Sequence, residues 1–236
     1  MNRAPLPALV LAIALACVAL PAAAGTPTLS LQEQAVVASQ AFQKGHPDLH
    51  YRQAGLDAMD RGRPADARHF FTLGARHADK VSQAMLADLW WNGQGGPANR
   101  ALGYAWMDLA AERGTTWLLA RRERFWEALD AAERERAVSE GRALYAVYGD
   151  PVAQPRQERV MRRTMGQMTG SRTGALGAMT VMNLRHNGQM MKVQPEVYYA
   201  EKLWQPAQYW QWQNQELAAG NLGRTSAGPD QPLPPG

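Results

Sequence analysis

The feature that most constrains the fold is an internal repeat, because the chain resembles itself when it is shifted by 36 positions. This register matches small residues with small ones and large apolar residues with large apolar ones. The first set is Ala65, Phe70, Leu73, Ala75, Ala84, Leu89 and Trp90, and its partners are Ala101, Trp106, Leu109, Ala111, Ala120, Phe125 and Trp126. A unit of this length holds two antiparallel helices, the size expected of one unit of a helical solenoid. The sequence therefore predicts a mainly α-helical chain, built as a short α-solenoid of two to three helix pairs.

The predicted helices begin and end at recognisable signals. The turn Asn92-Gly93-Gln94-Gly95-Gly96-Pro97 ends one helix, because glycine tolerates positive φ and proline cannot continue the hydrogen-bond pattern. Asn99 is the expected N-cap of the next helix, which stops at Gly114. Asp130 and Glu133 have the spacing of a capping box, which predicts a later helix start.

The stretch from Ala84 to Gly114 carries a W-N-G-Q-G turn and a Y-A-W-x-x-L-A-A-E-R-G helix. On these motifs it resembles a Sel-one-like repeat, a relative of the tetratricopeptide repeat. The resemblance covers about 100 of the 236 residues, and the flanking units match less well, as terminal capping repeats do. Exported Sel-one-like proteins are known as adaptors, so the resemblance implies a non-catalytic module that binds a protein or peptide partner in the cell envelope.

The N-terminus has the pattern of an export signal. Arg3 precedes an apolar stretch, Leu6 to Leu20, that is too short to span a bilayer comfortably. The small residues of Pro21-Ala22-Ala23-Ala24-Gly25 fit a signal-peptidase site. Residues 1–24 are therefore predicted to be a cleaved signal peptide. The mature chain is expected to be periplasmic or secreted, with no transmembrane segment.

Cys17 is the only cysteine, and it lies within the predicted signal peptide. Cleavage after Ala24 leaves no thiolate for catalysis or metal binding and no disulfide. Acylation at Cys17, which would make a lipoprotein, is a minor alternative, because Ala14 and Leu15 differ from the residues that usually precede such a site.

Beyond Asp150 the pattern changes. Pro151 and Pro155 predict a linker, and a basic helix is expected from Gln157 to Met168. The glycine-rich segment 166–177 contains too much glycine for a stable helix beyond that point, and no role can be assigned to it.

The predicted C-terminal module continues with Asn187-Gly188, which lies between apolar runs and predicts a small β-hairpin. Pro206 is expected to open a last short helix that carries several aromatic residues. The chain is thus divided into a repeat domain (25–150), an irregular capping module (151–219) and a disordered tail (220–236).

The residues that could support catalysis or metal binding form no convincing pattern. His46 and His50 are four apart, but a helix opening at Pro47 leaves His46 outside it as a cap, so a surface pair is predicted. His69 and His77 are expected at the repeat surface. Ser171 has no placed base, and a hydrolase acting on wall peptides is only a third alternative. We predict no enzyme activity and no metal or other cofactor.

The eight tryptophans are the best indication of a binding surface. Trp90, Trp106 and Trp126 match between repeats and are expected to fill the core. The predicted partner-binding residues lie beside those positions: Trp91, Asn92, Gln94, Tyr104, Trp117 and Arg121. Exposed aromatic and arginine side chains on a concave face could anchor an extended peptide. The alternative is a carbohydrate- or cell-wall-binding protein, in which the same aromatic rings stack on sugars.

The formal net charge is +4, and the densest basic spots are Arg121-Arg122 and Arg162-Arg163. Runs this short are typical of solvated helix faces. They do not favour nucleic acid as a partner.

Overall fold

The structure is a computed structural model that describes residues 29–169, 182–186 and 189–221. It confirms the predicted mainly α-helical fold. In the described residues the α-helices are α1 (Leu31–Ala38), α2 (Gln40–Gly45), α3 (Pro47–Asp60), α4 (Pro64–Ala75), α5 (Lys80–Trp91), α6 (Arg100–Ala110), α7 (Thr116–Ala128), α8 (Ala131–Tyr148), α9 (Asp150–Thr169), α10 (Pro195–Tyr198), α11 (Glu201–Trp204) and α12 (Pro206–Ala218). A 3-10 turn, Ala111–Arg113, extends α6.

The helices of the repeat region pack as successive pairs joined by short turns. Helix α3 packs against α4, and α5 packs against α6. Helices α7 and α8 both pack against α6 as well. The 36-residue shift places α4 on α6 and α5 on α7. The repeat in the sequence is therefore a repeat of helices in the structure.

The predicted turn signals are confirmed. Gly95 has a φ of 79° and lies so close to Pro64 that an added Cβ would be 2.6 Å from the Pro64 backbone. The Asn99 side chain accepts a hydrogen bond of 3.0 Å from the Leu102 backbone N–H, which caps α6. Asp130 caps α8 and forms the expected capping box with Glu133.

Helices α5 and α6 approach each other closely at Gly103. A Cβ added there would lie 2.9 Å from the Trp91 backbone nitrogen and 3.0 Å from the Ala87 carbonyl oxygen. Glycine is required at this position because any side chain would push two backbones apart.

The described residues form two large hydrophobic cores and a smaller cluster around Ala101, Leu129 and Ala137. The repeat core is formed by helices α3 to α7, with Phe71, Leu86, Trp106, Met107 and Leu118 among its buried residues. The clasp core joins both ends of the chain, because Phe42 of the N-terminal helices packs with Trp204 and Tyr209 of the C-terminal ones. Helices α1 and α2 thus contribute to the same core as the C-terminal helices.

The expected linker at Pro151 and Pro155 is wrong, because α9 runs without a break from Asp150 to Thr169. Pro151 lies in the first turn, where a missing N–H costs nothing. Pro155 is exposed, so the carbonyl left without a helical donor can be solvated. The helix is held to the N-terminal part of the chain by a buried hydrogen bond of 3.1 Å from the Gln157 side chain to the Gly45 carbonyl oxygen.

Other predicted elements are confirmed in the described residues. Strands β1 (Met182–His186) and β2 (Gln189–Val193) pair antiparallel on either side of the Asn187-Gly188 position. Helix α12 begins at Pro206 as expected. The predicted signal peptide, residues 170–177 of the glycine-rich segment and the chain beyond 221 lie outside the described residues. No helix in the described part has the length and apolar character needed to cross a membrane.

Two glycines inside helices provide a test of the close approach of α5 and α6. We expect Gly103→Ala to lower the free energy of unfolding by about 2 kcal/mol, because the new methyl group meets the α5 backbone. Gly141→Ala in α8 is the matched control, since its nearest neighbour would be the Ala105 Cβ at 4.0 Å. That variant should gain about 0.5–1 kcal/mol. Urea unfolding measures both, and equal effects would contradict the packing described.

Candidate functional site

Trp91 and Tyr104, two of the predicted partner-binding residues, lie in one small cluster with Trp126. Trp91 stacks on Phe125, with ring centroids 3.9 Å apart, and the Arg100 guanidinium lies 4.6 Å from the Trp91 ring. A ring stacked this closely covers one face of the indole, so the guanidinium lies over the other. Trp91 therefore has no free face for a ligand ring.

Tyr104 is half-buried, and its ring lies 5.0 Å from that of Trp126. Burial and the nearby Asp108 carboxylate raise the pKa of the Tyr104 hydroxyl. Tyr104 thus joins the aromatic packing between α6 and α7 and lies beside charged groups of both helices.

Trp117 and Arg121 are engaged within the molecule. The Trp117 indole N–H donates a hydrogen bond of 2.9 Å to the Leu217 carbonyl oxygen, which ties α7 to α12. Arg121 forms an ion pair with Asp88 of α5. Both side chains hold neighbouring helices together.

Asn92 and Gln94 are exposed on the turn after α5. The Asn92 backbone is the C-cap of α5. The predicted partner-binding residues are thus divided between a packed aromatic cluster, two interhelical contacts and an exposed turn.

The prediction that His46 and His50 form a surface pair is wrong for His46. Although His46 precedes α3 as expected, its side chain is fully buried and stacks on Phe42. Its ring nitrogens lie 2.9 Å from the Phe42 carbonyl oxygen and 2.8 Å from that of Leu203. Burial lowers the pKa of His46 to about 4, so the neutral ring donates to one of these oxygens. His46 is part of the clasp core, while His50 is exposed.

The densest cluster of charges lies where the repeat helices meet α9 and α12, and we call it the ionic junction. Its members are Asp48, Arg52, Asp79, Lys80, Glu112, Arg113, Asp150, Tyr209 and Gln213. These residues come from distant parts of the sequence, so no motif indicated the junction.

Arg52 and Asp79 form the most buried ion pair of the ionic junction. The Arg52 Nε donates to both carboxylate oxygens of Asp79, at 3.0 and 3.1 Å, and an Arg52 Nη donates to the Gln213 side chain at 3.0 Å. Asp79 also caps α5 by accepting a hydrogen bond from the Ser82 backbone N–H. One carboxylate therefore links α3, α5 and, through Arg52, α12.

Lys80 is almost completely buried, and burial lowers its pKa. Its ammonium group is paired with Glu112 and lies 3.1 Å from an Asp150 carboxylate oxygen. It also donates to the Leu109 carbonyl oxygen at 3.1 Å. Arg113 completes this part of the junction through hydrogen bonds of 2.7 and 3.0 Å to Asp150.

Asp48 has the most perturbed carboxylate of the junction. Burial raises its pKa to about 7, and Asp79 adds to that shift, while the Tyr209 hydroxyl and Arg52 oppose it. Asp48 accepts a hydrogen bond from the Tyr209 hydroxyl through one oxygen, and its other oxygen has no partner.

Strongly perturbed pKa values are common in active sites, but the ionic junction has little room for a substrate. The cavity between its side chains measures about 10 Å³, which is the space of about one water molecule. The geometry indicates a structural junction that connects the repeat helices to the C-terminal helix.

A larger opening lies on the other side of Glu112. Helices α7 and α8 both pack on α6, and a groove of about 350 Å³ lies over α6. We call it the α7–α8 groove. Its lining residues are Ala105, Asp108, Leu109, Ala111, Glu112, Gly114, Leu119, Arg122, Gly141 and Tyr145. Grooves of this volume lie within the range of known ligand sites.

The α7–α8 groove combines an apolar surface with a charged end. Leu109 and Leu119 provide apolar lining, and the exposed Tyr145 lies at the edge with 49% of its surface accessible. Asp108 and Arg122 face each other at 3.5 Å, and burial raises the pKa of Asp108. Such a groove can hold apolar side chains and also offer hydrogen bonds to a peptide backbone.

None of the predicted partner-binding residues lines this groove, although Arg122 follows Arg121 directly. At helical spacing, the apolar residues of α8 form one broad face that includes Val138, Gly141, Leu144, Tyr145 and Tyr148. Of these, Leu144 and Tyr148 pack against the repeat core. The sequence pattern of α8 therefore did not separate the residues that line the groove from those that face the core.

No protein-family model matches the chain, and no significant match was found among curated proteins or among solved structures. The resemblance of residues 84–114 to Sel-one-like repeats therefore stays a prediction.

In the described part of the chain, no group of three or more His, Cys, Asp or Glu side chains is placed to hold a metal ion.

The pKa shifts predict opposite effects of pH at two buried groups. Asp48 has a pKa of about 7 in the fold, above the ordinary 3.8, so its contribution to stability is lost as pH rises from about 4 to 7. His46 has a pKa of about 4, below the ordinary 6.5, so its contribution is lost as pH falls from 6.5 to 4.

We therefore compare the free energy of unfolding of Asp48→Asn with that of the native chain. The variant's value relative to the native chain should rise by at least about 1 kcal/mol from about pH 5 to about pH 8. Urea unfolding at both pH values measures the difference. Asp66→Asn, at an exposed carboxylate, controls for the loss of charge. If the difference in free energy of unfolding between Asp48→Asn and the native chain is the same at both pH values, burial does not raise the pKa of Asp48.

Proposed function

We propose that the protein is a non-catalytic adaptor of the cell envelope that binds an extended segment of a partner protein in the α7–α8 groove. The observation that supports it best is the groove itself, which is open, lined by both apolar and charged side chains, and edged by an exposed tyrosine. The predicted signal peptide and the resemblance to Sel-one-like repeats favour the same role and compartment.

The shape of the α7–α8 groove favours an extended segment over a small molecule. It lies between two helices, so a chain can run along it and place alternate side chains toward Leu109 and Leu119. Tyr145 can add both apolar surface and a hydroxyl group for a backbone carbonyl. Exposed tyrosine is common among the residues that dominate binding at interfaces.

The carbohydrate-binding alternative receives less support. It needs an aromatic ring with a free face, and Trp91 is covered by Phe125 and Arg100. Asn92 and Gln94 remain exposed, so sugar contacts at that turn would have to be made by polar groups alone.

The groove can be filled at Gly141, where there is open space next to the helix. We expect Gly141→Leu to abolish partner capture, because the new side chain occupies the volume over Ala105. Gly141→Ala is the matched control and should retain capture. The measurement is crosslinking from intact cells with residues 25–236 as bait, using a photoreactive amino acid at position 145, followed by mass spectrometry.

A second bait with the photoreactive amino acid at the exposed position 211 of α12 controls for proximity crosslinks. The adaptor proposal is supported if a protein crosslinks to position 145 but not to position 211, and if Gly141→Leu abolishes that crosslink. Equal capture by both Gly141 variants would place the contact elsewhere. If the chain pellets with insoluble cell wall and captures no protein, the carbohydrate alternative replaces the adaptor.

A further inference from the structure

Helix α9 carries a basic stripe on its solvent-exposed side. Val152, Arg156, Arg159 and Arg163 follow each other at intervals of four, three and four residues, which places them along one face of the helix. Arg76, the C-cap of α4, extends this face, because an Arg156 Nη donates to the Arg76 carbonyl oxygen. We call Arg76, Arg156, Arg159 and Arg163 the basic stripe.

No carboxylate of the described residues pairs with the basic stripe. The acidic side chains of α9 are Asp150 and Glu158, and both are engaged elsewhere. Asp150 belongs to the ionic junction, and Glu158 accepts a hydrogen bond from the Trp210 indole and lies 3.5 Å from Arg162. The guanidinium groups of Arg76, Arg159 and Arg163 are therefore available to an external anion.

Arg156 has a structural role within the stripe. Its guanidinium donates to carbonyl oxygens at the C-terminal ends of α4 and α8, where helix dipoles favour a positive charge. Burial lowers the pKa of Arg156, and the neighbouring charges of Arg76 and Arg159 lower it further. The structure thus holds like charges close together without a compensating acid, which favours binding of a polyanionic surface.

Apolar side chains lie next to these charges. Val147, whose carbonyl oxygen is one of the acceptors for Arg156, is 37% exposed, and Val152 at the start of the stripe is 41% exposed. Guanidinium groups flanked by exposed aliphatic residues are typical of surfaces that bind at a lipid interface, where arginine meets phosphate and the apolar residues enter the headgroup region.

We propose that the basic stripe, together with Val147 and Val152, docks the protein on the surface of an anionic phospholipid bilayer. The arginines contact lipid phosphates, and the valines contact the upper acyl region. None of these residues lines the α7–α8 groove, and Val147, two residues after Tyr145, points to a different side of α8. A membrane-bound chain can therefore keep its groove open to a partner.

The test is sedimentation of the chain from Gly25 onward, which includes every described residue, with phosphatidylcholine vesicles that either contain or lack one-third phosphatidylglycerol. We expect binding only to the anionic vesicles, and loss of that binding when salt is raised from about 0.1 M to about 1 M. The variant Arg76→Gln/Arg159→Gln/Arg163→Gln leaves the structural Arg156 in place. It should bind about a hundredfold more weakly, since each basic side chain contributes roughly a fivefold factor near an anionic surface.

The matched control is Arg124→Gln/Arg136→Gln/Arg142→Gln, which removes the same charge from exposed positions on α7 and α8. It should bind anionic vesicles as the native chain does, and both variants should unfold at the same urea concentration as the native chain. Equal loss of binding in the two variants would overturn the proposal, because net charge alone would then explain it.

Two further experiments identify the ligand of the stripe. Val147→Asn/Val152→Asn should weaken vesicle binding with the arginines intact, and unchanged binding would overturn the assignment to a lipid interface. Soluble polyphosphate is the probe for phosphate groups without a bilayer. Tight binding to polyphosphate with no binding to anionic vesicles would also overturn membrane docking and would assign the stripe to a soluble polyanion.

Discussion

The arrangement of the helices depends on the ionic junction. Moving a charged group out of water costs several kcal/mol per ion, and pairing offsets this cost only when the geometry is good. Here Arg52 meets Asp79, and Lys80 meets two carboxylates. Each pair joins different helices, so a shift of one helix would leave a buried charge without its partner. The junction therefore determines how α3, α5, α9 and α12 meet, in addition to any net stabilisation it provides.

The repeat region could be predicted from the sequence because its signals are local. The 36-residue register, the glycine turn and the Asn99 and Asp130 caps all depend on residues a few positions apart or on a simple period. The linker prediction was wrong for two reasons. Pro151 lies in the first turn of α9, where proline is well suited, and Pro155 lies inside the helix at an exposed position, where water can replace the lost hydrogen bond. The sequence does not reveal either position, because both depend on where α9 begins.

The binding residues were harder to predict, because exposure depends on the packing of neighbouring helices. Trp91 and Trp117 lie beside the repeat-matched positions, as a surface residue would, but Phe125 covers the first and Leu217 accepts a hydrogen bond from the second. Leu217 is 100 residues away in the chain, so no local pattern indicates it. His46 was predicted at the surface for the same reason, since its burial depends on Leu203. The α7–α8 groove could be found only once the positions of α7 and α8 on α6 were known.

The clasp core has a consequence for the order of folding. Helices α1 and α2 are synthesised before the repeat helices, but Phe42 and His46 are buried by Trp204 and Tyr209, which are synthesised more than 150 residues later. Closing so large a loop is slow compared with forming contacts between adjacent helix pairs. The repeat helices can therefore pack together before α1 and α2 make their contacts with α11 and α12. Until then the chain exposes Phe42 and its apolar neighbours, so the synthesis of α11 and α12 determines when α2 is protected from aggregation.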